Sequence, residues 1–251
     1  MTSSLISSRN APAKATELHA KASADFAAKL AETQALLRRA AAEFAPVTQA
    51  SSLGAEDVVI THLINSLQLD IPVFVLETGA LHTETLALLE RTQAHSRAPI
   101  NVFRPVQESV IQFVRDKGQD AIYKTIELRK ECCGIRKMEP LARALKGQKA
   151  WITGLRQEQS SARAEVPLQD DSEVATKSLY KFNPLAKWTW GDVWHYIATN
   201  QVDYNPLHDQ FFPSIGCAPC TRAISLGEEF RAGRWWWEDE AAKECGLHVK
   251  N

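Results

Sequence analysis

The sequence has no stretch long and apolar enough to span a membrane, and its opening "MTSSLISSRNAPAKATELHA" offers serines and scattered positive charge without the hydrophobic core of a signal peptide. A cytoplasmic protein is expected. Net charge is also nearly absent. The 29 Lys and Arg residues against 30 Asp and Glu residues leave −1 at pH 7, so no overall field recommends nucleic acid or an anionic membrane as a partner. Basic groups must act locally, if at all. There is no internal repeat and no low-complexity tract. Cysteine is scarce, at 5 residues in 251. In a reducing compartment that number, with one C-x-x-C among them, argues against a disulfide framework and for metal binding or catalysis.

A chain of 251 residues can bury one sizeable α/β core with appendages. The divisions expected are N-terminal helices over 1–44, an α/β domain over 45–228 and a C-terminal tail over 229–251. The Ala-rich "TELHAKASADFAAKLAETQALLRRAAAEF" has apolar positions three and four apart, the spacing of one or two amphipathic helices packed outside a core. Further on, "IPVFVLET", "NVFRPV" and "AWITGL" read as strands, and "AEDVVITHLINSL", "LHTETLALLERTQ" and "PVQESVIQFVRDKG" as helices. That alternation predicts βαβ units, hence a parallel sheet with right-handed crossovers. The polar stretch 163–180, "RAEVPLQDDSEVATKSLY", loses periodicity and reads as a long loop. A Trp-rich helix, "WTWGDVWHYIAT", and a turn-rich "YNPLHDQFFPSIGCAPC" follow.

In an open parallel sheet, ligands bind where loops converge at the C-terminal strand ends. The loop "SSLGAED" brings Ser51, Ser52, Gly54 and Glu56 to the start of a helix. This is either an anion site suited to phosphate or sulfate, or a plain βα turn with serine as its N-cap. The next strand ends in "LETG", placing Glu77, Thr78 and Gly79 at the same edge.

The cysteines carry more information. Cys217 and Cys220 have the spacing of a zinc-binding pair, but the adjacent Cys132 and Cys133 do not. An iron–sulfur cluster offers separate irons to neighbouring thiolates, so CC followed by CxxC suggests one 4Fe-4S cluster held by all four. The alternative is that Cys132 and Cys133 are buried spectators. Cys245 stands apart in a polar tail with His248 three residues later. It suits a reactive thiol if Lys137, Arg231, Arg234 and His248 supply positive charge nearby. The competing reading of those cations is a solvated face.

The ordered segments "ECCGIRKMEPL", "YKFNPL", "SIGCAPCTR", "GRWWWE" and "KECGLH" resemble the assimilatory sulfonucleotide reductases, in particular their cluster-containing adenylyl-sulfate reductase branch. The resemblance runs from Ser51 to His248. It implies an adenine nucleotide α-hydrolase-like, Rossmann-like α/β fold with the C-terminal tail over the active site, and "SSLGAED" as a modified pyrophosphate loop. It implies adenylyl sulfate (APS) as substrate, thioredoxin or a glutaredoxin-like protein as reductant, and sulfite and AMP as products. Cys245 becomes the nucleophile that forms an S-sulfocysteine, assisted by His248. Lys137, Arg231 and Arg234 clamp the phosphosulfate, and Lys137 links the cluster to the substrate. Gly154, Arg156 and Arg163, in "GLRQEQSSAR", join the nucleotide contacts. The chain departs from the family pattern at Glu77, where aspartate is usual, at Ala80, and at Gln157, where arginine is common. A reductase of 3′-phosphoadenylyl sulfate (PAPS), or of both nucleotides, is the alternative; an ATP pyrophosphatase-type enzyme or a cluster-bearing sensor is more remote. Homo-oligomerisation stays open.

Overall fold

The computed structural model describes residues 13–239. Five strands run parallel and a sixth antiparallel in one sheet of order β3-β2-β1-β4-β6-β5. They are β1 (Val47–Ser51), β2 (Val73–Leu76), β3 (Ile100–Phe103), β4 (Ala150–Ile152), β5 (Gln169–Asp170) and β6 (Tyr180–Phe182). The apolar runs predicted as strands form β2, β3 and β4. Both sheet faces are covered, and side-chain alternation divides the residues between them. Val73 and Val75 of β2 and Ala150 and Ile152 of β4 enter one buried cluster. Phe74 and Trp151, the residues between, enter another.

The first face carries α2 (Phe26–Glu43), α3 (Ala55–Ser66), α4 (Thr83–His95) and α9 (Trp190–Asn200). Helix α3 is buried nearly all round, from Ala55 through Thr61 and again at Leu63 and Ile64, because α9 packs over it. The N-terminal helices share this core: Ala15 of α1 (Ala15–His19) and Leu36, Leu37 and Ala40 of α2 belong to the same cluster. Thr33 ties α2 down. Its hydroxyl donates to the Pro184 carbonyl at 2.7 Å and accepts from Trp188 Nε1 at 3.0 Å.

The second face is covered by α7 (Glu139–Leu145) through Leu141 and Ala144. Beyond α5 (Gln107–Lys117), the polypeptide enters α6 (Ile126–Cys133), passes through one π-helical turn over Gly134–Met138, and continues directly into α7. Pro140 has no N–H to return to the Arg136 carbonyl, so the regular ladder fails there. Cys132 and Cys133 end α6, and Arg136 and Lys137 lie on the wide turn.

Two expectations need correcting. The stretch 163–180 is not one loop: it contains β5 and the short α8 (Val174–Lys177), and β6 begins at Tyr180. The sheet is not wholly parallel, since β5 pairs antiparallel to β6, with Gln169 opposite Phe182.

Candidate active site

The strand order reverses direction between β1 and β4, and a crevice opens outside their C-terminal ends, as the topology of such sheets requires. A cleft of about 200 Å³ lies there. Its first wall is the 51–57 loop. Asp57 holds that loop by accepting from the Ser52 amide at 2.7 Å and the Ser52 hydroxyl at 2.6 Å, and the Ser51 hydroxyl accepts from the Leu53 amide at 3.2 Å. Leu53 adopts a left-handed φ of 60°, which turns the backbone so that Gly54 can cap α3. Burial pushes the Asp57 carboxyl up to about 6, against the pull of its bonds from Ser52.

Thr153, Gly154 and Leu155 beyond β4 form the second wall. Gly154 is required by close approach: a Cβ there would stand 2.5 Å from Asp57 Oδ1 and 2.9 Å from the Glu56 Cβ. Behind this wall Arg156 is fully buried. Its Nε meets Glu56 Oε1 at 2.9 Å, its Nη1 meets Glu158 Oε2 at 3.2 Å, and its guanidinium faces the rings of Trp190 and Phe230. Arg156 therefore shapes the cleft through Glu56 and does not line it. Arg163 does line it and donates to Gln159 Oε1 at 2.6 Å.

Lys137 of the π-helical turn lines the cleft from the opposite side, with Arg231 and Arg234 from the C-terminal segment. Arg234 is buried over the Trp235 ring, 4.7 Å from its centroid, and Nη1 donates to Ser214 Oγ and the Ile215 carbonyl, both at 3.3 Å. Gly216 makes room for it, since a Cβ there would lie 2.4 Å from Arg234 Nη2. Cationic side chains from three segments thus face one cleft, while its acids are engaged: Glu56 by Arg156, Asp57 by Ser52.

Next to Lys137 and Arg234, the four cysteines Cys132, Cys133, Cys217 and Cys220 come together. None of the four is in a disulfide, and they pack in one apolar cluster with Ile122, Trp235, Ala80 and Trp237. Thr78 Oγ1 lies 3.2 Å from Cys217 Sγ, and the Ala218 amide donates to the Ala80 carbonyl at 2.7 Å, closing the C-x-x-C turn onto the loop after β2. Burial, and then the neighbouring Cys217, push the Cys220 thiol up to about 12, against Lys137 and Arg234. Among the described residues, no group of three or more His, Cys, Asp or Glu side chains is arranged as a metal-ion site. Arg129 completes the setting. Buried beside Trp235, it forms a two-pronged pair with Glu238 at 2.9 and 2.6 Å and so fastens the segment leading to the tail onto α6.

Ser51, Ser52, Gly54, Glu56, Thr78, Gly154, Arg163, Lys137, Arg231 and Arg234, all expected from the sequence, therefore line one cleft. Glu77 and Gly79 do not. They border a separate depression, where Glu77 pairs with Arg104 at 3.0 Å and accepts from the Gly79 amide at 2.7 Å. Cys245 and His248 lie outside the described residues. Sequence reasoning missed Asp57, Trp151 and His208. Asp57 stood inside the quoted loop and Trp151 inside a predicted strand, where it read as core, while His208 carried no motif signal.

The fold and cleft define an α/β protein with a cleft lined by basic side chains at the switch point of its sheet, beside four cysteines that form no disulfide. The comparisons with known proteins agree. Residues 46–223 match the phosphoadenosine phosphosulfate reductase domain, and the chain belongs to that family. It is 49% identical over 85% of its length to the adenosine 5′-phosphosulfate reductase of Allochromatium vinosum, covering 82% of that protein. To the protein of the same name from Neisseria meningitidis serogroup B it is 53% identical over 79% of its length, covering 80%. A crystal structure of phosphoadenylyl-sulfate reductase from Candida auris in complex with phosphate superposes with a TM-score of 0.64 at 27% identity, covering 76% of this chain and 90% of that one. The FMN adenylyltransferase of Candida glabrata, TM-score 0.55 at 13% identity over 94% of this chain and 84% of that one, shares the fold alone.

Proposed function

We propose that this enzyme reduces adenylyl sulfate to sulfite and AMP in sulfate assimilation, with thioredoxin as the electron source and the cytoplasm as its compartment. The observation that carries the reading is the 49% identity, over 85% of the chain, to a protein named adenosine 5′-phosphosulfate reductase. The cleft supports it chemically. In this reading Ser52, Gly54 and the first turn of α3 receive the anionic end of the nucleotide, Gly154 lets the backbone approach, and Lys137, Arg163, Arg231 and Arg234 bear on the phosphosulfate. Glu77 and Gly79 shape the loop and are not contacts.

The reaction divides into two transfers at sulfur. The Cys245 thiolate attacks the sulfate sulfur, an S–S bond forms as the bond from sulfur to the phosphate oxygen breaks, and AMP leaves with that electron pair. Arg231 and Arg234 offset the charge that develops on the departing phosphate. A thioredoxin thiolate then attacks the Cys245 sulfur, sulfite leaves with the bonding electrons, and the second thioredoxin thiol resolves the mixed disulfide, returning Cys245 reduced and thioredoxin oxidised.

Cys132, Cys133, Cys217 and Cys220 would hold a 4Fe-4S cluster. Four cysteines in one apolar cluster, none in a disulfide and two of them adjacent in sequence, suit a multi-iron centre better than a single ion. When bound, it would supply a fixed charge next to Lys137.

The competing substrate is 3′-phosphoadenylyl sulfate, named for the Candida auris neighbour. Sulfite release by the reduced enzyme with thioredoxin, measured with each nucleotide at low concentration, tests the proposal. Release from adenylyl sulfate at the higher kcat/KM is expected, and a preference for the 3′-phosphorylated nucleotide would reverse it.

A further inference from the structure

Trp235, Trp236 and Trp237 follow one another and take three different environments. Trp235 is 1% exposed, with the guanidinium groups of Arg129 and Arg234 at 4.6 and 4.7 Å from its ring centroid. Its φ of 42° is left-handed, a conformation that disfavours any side chain with a Cβ. Past that turn Trp236 is 39% exposed, while Trp237 packs against the cysteine cluster, its ring edge-on to that of Trp236 at 4.8 Å. Glu238 then returns to the interior to pair with Arg129. A second segment completes the face. Tyr123, at the end of the 3₁₀ turn Ala121–Tyr123, is 42% exposed, and its ring meets Trp237 at 4.6 Å and Trp236 at 6.4 Å. Its hydroxyl donates to the carbonyl of Pro219, within the C-x-x-C turn, at 2.8 Å.

Packing does not account for this face. A ring that served the core alone would be covered, as Trp235 is, and contiguous exposed apolar surface marks a place where something binds. Tyr and Trp are also the side chains that most often carry protein–protein binding energy. Here they are fixed in advance by Trp235 and Glu238 on one segment and by Pro219 on the other, which lowers the entropic cost of association. The chain beyond the face sets what occupies it. Cys245 follows Trp237 by eight residues, so the two backbones stand at most about 28 Å apart. A domain of about 100 residues has a radius of gyration of about 13 Å. A protein of that size joined to the Cys245 sulfur therefore has to rest on surface within this reach, and the aromatic face lies inside it.

We propose that Tyr123, Trp236 and Trp237 form the docking surface for the protein dithiol, thioredoxin, that discharges the S-sulfonated Cys245. The inference rests on the adenylyl sulfate reading above and adds to it where the reductant sits.

Separating the two half-reactions of the intact, anaerobically purified enzyme tests it. The adduct on Cys245 is formed with adenylyl sulfate alone, and its discharge as sulfite is then followed with reduced thioredoxin or with dithiothreitol. In Trp236→Gln the second-order rate of discharge by thioredoxin falls about tenfold or more, the loss of an aromatic anchor, while adduct formation and discharge by dithiothreitol stay within about twofold. Tyr123→Gln, on the other segment, shows the same split, and Trp236→Phe recovers most of the rate. Equal slowing with both reductants, slower adduct formation, or a changed oligomeric state with thioredoxin unaffected would each overturn the proposal, leaving the face to packing, to the tail or to a second copy of the chain. Should the variants fail to fold, hydrogen exchange of the unmutated enzyme decides. A mixed disulfide between Cys245 and a thioredoxin lacking its second thiol must protect the peptides containing Tyr123 and Trp236, and unchanged exchange there rejects the surface. An unmutated enzyme that forms no adduct would overturn the adenylyl sulfate reading itself, whereas an adduct that thioredoxin discharges equally from all variants overturns this surface alone.

Discussion

Asp57 is a buried carboxyl that holds the 51–57 loop from beneath, and its environment makes it a titrating group near neutrality. Burial raises it to about 6, so in the folded protein the proton is retained over a range where an exposed aspartate has lost it. A raised carboxyl binds more protons folded than unfolded, and its contribution to stability falls as pH climbs towards about 6. An anion on the adjacent Ser52 and Gly54 would also favour the protonated form, by repelling the carboxylate's charge. Equilibrium binding of adenylyl sulfate should therefore weaken as pH rises through about 6, by up to about tenfold per unit, and Asp57→Asn should flatten the profile. A parent profile already flat between about pH 5 and about pH 7 would reject this assignment. Arg234 poses the kinetic counterpart. Arg234→Ala should lower kcat/KM by about a hundredfold or more, with a smaller change in nucleotide affinity, since its charge matters most as the leaving group develops. Gly216→Ala should reproduce part of that loss, because the added methyl occupies the guanidinium's place. Unchanged kinetics in both variants, with the four cysteines unmodified, would return Arg234 to a structural role. At this scale the sequence identified most of the cleft. It singled out Arg156 but could not show its surroundings, because Glu56, Trp190 and Phe230, which close around it behind the cleft, are all remote in sequence.

Helix α9 begins at Thr189, whose hydroxyl accepts from the Asp192 amide at 3.0 Å while the Asp192 carboxylate accepts from the Thr189 amide at 2.9 Å, a reciprocal cap. Burial alone would raise the Asp192 carboxyl, but bonds from Ser23 and Thr189, and Lys29 at 3.2 Å, hold it down to about 2. A carboxyl depressed in the folded state stabilises the protein above its unfolded value of roughly 4, and that contribution disappears as pH falls towards about 2. Asp192→Asn should cost about 2 kcal/mol at neutral pH in urea unfolding, and the gap to the parent should narrow below about pH 4. A gap independent of pH would place the effect in packing instead. Strands β2 and β4 were legible because an interior parallel strand, covered on both faces, favours an apolar run, while β3, at the sheet edge, was legible from its short apolar stretch alone. Strand β6 was not. It has three residues, follows a polar segment, and carries Lys181, whose stem lies along the Trp151 ring with the ammonium 5.2 Å from its centroid. The π-helical turn at Gly134–Met138 was equally silent, because it arises from Pro140 meeting an otherwise continuous helix.

At the scale of the molecule, the strand order 3-2-1-4-6-5 places one crevice at its reversal, and the loops after β1, β2 and β4 must meet there whatever their sequences. What the topology cannot supply is the thiol set, which comes from α6 and from the turn Ala218–Cys220, 84 residues further along by number from Cys133 to Cys217. Those thiols were legible only as the pattern CC with CxxC. Protein purified without oxygen should be brown with about four irons per chain, and Cys217→Ser should lose both colour and iron; one zinc and no iron would contradict the cluster. The account as a whole rests on sulfur transfer to Cys245, and one measurement tests that most directly. Unmutated, reduced enzyme is incubated with adenylyl sulfate and no thioredoxin, then digested and examined by mass spectrometry. A sulfite-sized adduct on the peptide containing Cys245, discharged as sulfite when reduced thioredoxin is added, is the predicted result. An adduct on any other cysteine, or AMP release that leaves Cys245 unmodified, would contradict it.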